Sequence, residues 1–133
     1  MRGRRTAAPY IVETDSSGDS GRQSTRELLT RPRRPTAILY DNDVMAVAAL
    51  GAAREIGLSV PEDVSLLAYD DSILCQITNP PLSALNHDVY SYGSHVAQLL
   101  LREIRAPGSA GSELDATPVL IERGSTGTAS STT

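Results

Sequence analysis

The chain has 133 residues, enough for one domain and too few for two ordinary ones. Its twelve positive charges are all Arg, set against sixteen acids, and a net charge of −4 leaves no basic stripe with which this segment could hold nucleic acid. Apolar residues make up 40% but aromatic residues only 4%, with neither Phe nor Trp, so a core has to be assembled from Ala, Val, Leu and Ile. The single Cys75 excludes an internal disulfide and reads as a buried structural thiol. Met1-Arg-Gly-Arg-Arg5 is basic, but no apolar stretch follows it, so no secretory leader is expected. No run approaches the ~18 apolar residues of a membrane span, and a cytoplasmic location is expected.

In chain order, Ala8 to Glu13 is a short β-prone run, followed by the turn-rich Thr14 to Gly21. Asp19 or Ser20 would cap a helix ending near Thr30. Arg31-Pro-Arg-Arg-Pro35 breaks that helix, and Thr36 to Tyr40 is the next strand. A helix then starts at Asp43 and stops at Gly57, apolar nearly all round and therefore buried. Val60-Pro-Glu-Asp63 turns the chain into a second strand, Val64 to Tyr69. A short helix is expected over Ser72 to Gln76 and an extended run over Leu82 to His87. A last helix, about Tyr90 to Ile104, carries Val96, Leu99, Leu100 and Ile104 on one face. Ala106 to Thr117 is a Gly- and Ser-rich loop, Pro118 to Glu122 a final strand, and Gly124 to Thr133 reads by composition as a tail.

Strands alternating with helices predict an α/β fold with a parallel sheet. Both strands in the middle of the chain end in acidic turns, Asp41-Asn-Asp43 and Asp70-Asp71. Ligands of open parallel sheets sit beyond the carboxyl ends of the strands, so both turns face one crevice. Asp43 and Asp71 are assigned to capping the helices that follow them, which leaves Asn42 and Asp70 as ligand candidates. Read instead as a cluster, Asp41, Asp43, Asp70 and Asp71 suggest a small metal-dependent enzyme. A phosphoacceptor site of that kind would need a Lys, which the chain lacks, and His87 and His95 have no metal-ligand spacing around them. No catalytic residue, metal or cofactor is assigned.

The segments PTAILYDND, VMAVAALGAAREIGLSVPEDVSLLAYDD, NPPLSALNHD and PVLIERGST resemble the LacI/GalR (lactose-repressor-like) bacterial transcription regulators. The resemblance covers about residues 8 to 127. It implies the C-terminal subdomain of an incomplete sensor domain, a partial doubly wound parallel sheet of the periplasmic-binding-protein-like type I. Residues 1–7 and 128–133 are then a disordered leader and tail. The resemblance further implies a sugar-like or nucleobase-like effector, held by Asn42 and Asp70 with Asp15, Ser16 and Tyr40 around them. Ser16 stands where several members place an aromatic ring. Operator DNA would be reached through a helix-turn-helix head that this chain lacks, in a homodimer. In the family the segment matching Leu82 to Ile104 packs into a first subdomain, so here its apolar stripe is expected to be exposed or to pair with a second copy. A solute-binding protein of sugar uptake would share the fold.

Overall fold

The structure is a computed structural model and describes residues 9–109 and 117–128. In chain order it contains α1 (Gly18–Leu29), β1 (Ala37–Tyr40), α2 (Asp43–Glu55), β2 (Ser65–Ala68), α3 (Ile73–Ile77), β3 (Ser83–Asn86), α4 (Val89–Arg105) and β4 (Val119–Ile121). The four strands form one sheet in the order β1-β2-β3-β4. β1, β2 and β3 are parallel, and β4 returns antiparallel along β3. This is the open, mostly parallel α/β arrangement that alternating strands and helices predict.

The register divides the sheet into two unlike faces. Tyr40, Ala68 and Ala84 lie side by side across three strands, and all are buried beneath the helices with Leu66. Leu39 and Leu67 form one row of the opposite face, and Leu85 and Leu120 another. There Leu39 is 57% exposed and Leu120 50%.

The core is as fine-grained as the composition requires. Ala46, Ala49, Ala52 and Ala53 of α2 are completely buried, with Val64, Leu66 and Leu82, and Tyr40 is the one aromatic in this cluster. Small side chains let α1 and α2 approach closely, and Gly21 marks the contact. A Cβ added there would lie 2.8 Å from Met45 Cβ, closer than real carbons come. Gly57, at φ +76°, ends α2 in the left-handed conformation that glycine adopts without strain.

Several expectations need correction. Residues 9–15 form no strand, and Ile11 is 87% exposed; a β-prone run without a ladder or a covering layer has nothing to hold it extended. α1 is capped by Ser17, whose Oγ accepts from Ser20 N at 3.2 Å, and not by Asp19 or Ser20. Asp19 falls in the first turn, where a carboxylate meets the positive end of the helix dipole. The end of the chain is not tail from Gly124 onward. Ser125 is fully buried, its Oγ donates to Leu66 O at 2.6 Å, and its carbonyl accepts from Leu66 N at 2.9 Å. The expected leader at 1–7, most of the Gly/Ser loop and residues 129–133 lie outside the described residues.

α4 stands apart. None of its 17 residues is buried, and Val96 (39%), Leu100 (60%) and Ile104 (68%) are exposed.

Candidate functional site

The carboxyl ends of β1, β2 and β3 are laced together. Tyr69 N donates to Tyr40 O at 2.9 Å, joining the first two strand ends. Ser72 Oγ donates to Asp43 Oδ2, drawing the β2–α3 loop to the start of α2. Asn86 Nδ2 reaches Asp71 Oδ2 at 3.3 Å, and the Tyr69 and His87 rings lie 4.9 Å apart, which ties β2 to the end of β3. A fourth segment joins from the N-terminal side, where Asn42 Nδ2 donates to Ser16 O at 2.9 Å. Asp41, Asn42, Tyr69, Asp70 and the Asp15-Ser16 turn thus belong to segments that meet past the parallel strand ends.

The structure redistributes the roles of the acids. Asn42, and not Asp43, caps α2: its Oδ1 accepts from Met45 N at 2.8 Å. Its amide is committed at both ends, so Asn42 is a structural member of the rim as well as a candidate contact. Asp71 caps nothing, because Ser72 Oγ takes that place at the start of α3. Asp71 instead meets Arg123 in a bidentate pair, Nη1–Oδ1 at 2.7 Å and Nη2–Oδ2 at 2.9 Å. Arg123 Nη1 also donates to Leu82 O at 2.7 Å. The Asp71 side chain is only 6% exposed. The Arg123 guanidinium holds the Asp71 carboxyl below its usual range against the opposing effect of burial, and Asp71 in turn raises Arg123. No sequence signal announces this pair. Its members are 52 residues apart, and Arg123 falls between the expected last strand and the expected tail.

Asp70, like Asp41 on the adjacent strand, stands apart from Asn42, Asp43 and Asp71. It is exposed, and among the described residues its carboxylate accepts no hydrogen bond; only its backbone carbonyl is used, by Cys75 Sγ at 3.4 Å. Asp15 is also exposed but serves its own turn. Its Oδ1 accepts from Ser17 N at 3.0 Å, and hydrogen bonds from Ser17 and Ser20 hold its carboxyl down to about 2. Ser16 sits at φ +62°, a conformation costly for a residue with a Cβ, and its carbonyl is the one Asn42 uses. Tyr40 turns away from the crevice. It is 4% exposed, its hydroxyl lies 2.7 Å from Thr25 Oγ1, and burial pushes its pKa up to about 12.

His87 meets the end of β2 through Tyr69, and its Nε2 is buried without a hydrogen-bond partner among the described residues. The spacing around His87 in the sequence points to no metal site and gives no signal of this ring contact. Cys75 is fully buried, and burial raises its thiol, as expected for a structural cysteine. Among the described residues no group of three or more His, Cys, Asp or Glu is placed to hold a metal ion.

An open α/β sheet with polar groups gathered past its parallel strand ends is the architecture of a small-molecule-binding domain. The chain belongs to the periplasmic binding protein-like domain family, whose profile matches residues 2–126. It is 34% identical over 116 residues to the ribose operon repressor of Escherichia coli K12, covering 87% of this chain and 35% of that protein. Among solved structures it resembles a LacI family transcriptional regulator from Bifidobacterium animalis subsp. lactis, at TM-score 0.84 and 39% identity, covering 90% of this chain and 44% of that one. It also resembles the transcriptional regulator CelR in its cellobiose complex, at TM-score 0.74 and 34% identity, covering 82% of this chain and 33% of that one. The chain thus corresponds to part of a LacI-type effector-binding domain, and spans about a third of the curated relative's length.

Proposed function

We propose that residues 8–127 are the effector-sensing portion of a cytoplasmic LacI-type transcription regulator, a non-enzymatic protein that binds a small sugar-like or nucleobase-like molecule at the crevice. Control of operator DNA then falls to the part of such a regulator that this chain does not span. The observation that carries this reading is the exposed carboxylate of Asp70, which among the described residues accepts no hydrogen bond and stands at the carboxyl end of the central strand β2, beside Asn42 and the Asp71–Arg123 pair, whose polar groups are engaged. A carboxylate can accept from two adjacent hydroxyls or from ring N–H groups, and each charge-assisted bond contributes roughly 1.5–3 kcal/mol. Asn42, Asp15 and Ser16 line the same edge as secondary contacts. The resemblance to repressors rather than to uptake proteins or enzymes favours regulation over the alternatives.

Calorimetric titration with D-ribose, cellobiose and hypoxanthine tests the reading. At least one probe should bind, and Asp70→Ala should weaken it about 10- to 100-fold, the loss of one charge-assisted bond. Asp41→Ala, also exposed but at the end of the neighbouring strand β1, should change affinity less than about threefold. Equal losses at the two positions would remove Asp70 from its assigned role.

A further inference from the structure

We infer that Arg123 is a positioning residue for the crevice: through the Asp71 carboxylate it fixes the loop from Tyr69 to Ser72, and so sets where the Asp70 carboxylate stands. That role rests on the reading of Asp70 as an effector contact and extends it to the last segment of the chain. The ladder between β1 and β2 stops at Tyr40 and Ala68, and one further backbone bond, Tyr69 N to Tyr40 O, follows it. Asp70 comes next, beyond the sheet, so its place depends on what holds the residues after it. Ser72 gives one hydroxyl contact to Asp43. Asp71 gives far more. Its Oδ1 accepts from Arg123 Nη1, and its Oδ2 from Arg123 Nη2 and Asn86 Nδ2. A two-pronged contact of this kind fixes the orientation of the carboxylate as well as its position, which a point charge does not.

The fork can set a position only because it is itself held. Arg123 N donates to Ser83 Oγ at 2.9 Å and Nη1 to Leu82 O at 2.7 Å, so its backbone and its guanidinium are both fastened to the start of β3. The residues after it are fixed as well. A Cβ on Gly124 would come within 3.1 Å of Pro80 and 3.3 Å of Pro81, and Ser125 Oγ donates to Leu66 O and accepts from Ser83 N, joining β2 to β3. The Arg123 side chain is 18% exposed, so water competes little for its contacts. Support therefore runs from the start of β3 through Arg123 to Asp71, and the exposed Asp70 stands next to the fixed residue. A carboxylate on an untethered loop would have to be ordered at each binding event, which subtracts from affinity.

Arg123→Lys tests the fork, because it keeps the charge beside Asp71 and loses the two-pronged contact. In nitrogen-15 relaxation of the ligand-free 133-residue chain, the Asp70 and Asp71 amides should show order parameters of about 0.85, falling to roughly 0.6 in Arg123→Lys. The neutral pair Asp71→Asn/Arg123→Gln, which strands no buried charge, should loosen the loop likewise. Leu29→Ala, which weakens the fold from α1 by opening its core, should leave both values unchanged. For whichever of D-ribose, cellobiose and hypoxanthine binds the wild type, Arg123→Lys should lower affinity about five- to tenfold, part of one charge-assisted bond, and Leu29→Ala should not. If none of the three binds, the effector reading fails and the order parameters alone decide whether Arg123 holds the loop. Order parameters unchanged in both Arg123 variants, equal loosening in Leu29→Ala, or a loosened loop with wild-type affinity would each overturn the proposal.

Discussion

α2 and α4 invert what their sequences suggest about burial. α4 has the cleaner amphipathic pattern, yet it has no buried residue, whereas α2, apolar nearly all round and built largely from alanine, has five. The difference is one of neighbours. α2 lies between β1 and β2 in the chain, so its short connections return it over the sheet, and α1 closes on it through Gly21. α4 leaves the sheet after β3 and comes back only as β4. Amphipathicity therefore states that a helix needs a partner, and connectivity decides whether that partner is its own sheet.

The comparison can be broken most severely at the last segment, which makes the packed half depend on residues beyond α4. Arg123→Met should cost about 3–5 kcal/mol in urea denaturation at neutral pH, because it strands the Asp71 carboxylate in a nearly closed environment. The sign with pH is definite. A carboxyl depressed in the folded state contributes stability that is present above its unfolded value of about 4 and is lost as pH falls through the folded value. The gap between wild type and variant should therefore narrow on acidification to about pH 3; a constant gap would mean that Arg123 acts through packing alone. Next in size, Leu66→Ala should cost about 2–4 kcal/mol by opening a cavity under α2.

Smaller changes sharpen the contrast. Asn42→Ala should destabilise by about 1 kcal/mol through loss of the α2 cap, measured by thermal melting. Asp43→Ala should lose less, since the cap stays and only the Ser72 contact and a first-turn charge on the helix dipole go with it. The smallest effect is expected on α4, where Ile104→Ser should shift monomer stability by under about 0.5 kcal/mol. A large loss there would show that the arm packs on its own sheet.

Much of the fold was legible from local pattern alone. The strands at Ala37–Tyr40 and Ser65–Ala68, the helix between them and its stop at Gly57 follow from apolar runs, helical spacing and glycine, whose effects reach only a few residues. Alternation then implied a parallel sheet, and the sheet implied that Asn42 and Asp70 share an edge. What the residues could not settle locally was which polar group does which task. Asn42 and Asp43, or Asp71 and Ser72, are equally able to cap by type, and a shift of one residue in where the helix begins chooses between them. The Asp71–Arg123 pair, the burial of Ser125 and the inward turn of Tyr40 toward Thr25 depend on contacts between distant parts of the chain. Such contacts exist only once the sheet has brought those parts together, so the tertiary structure alone decided that Asp71 is spent on Arg123 and that Tyr40 is buried.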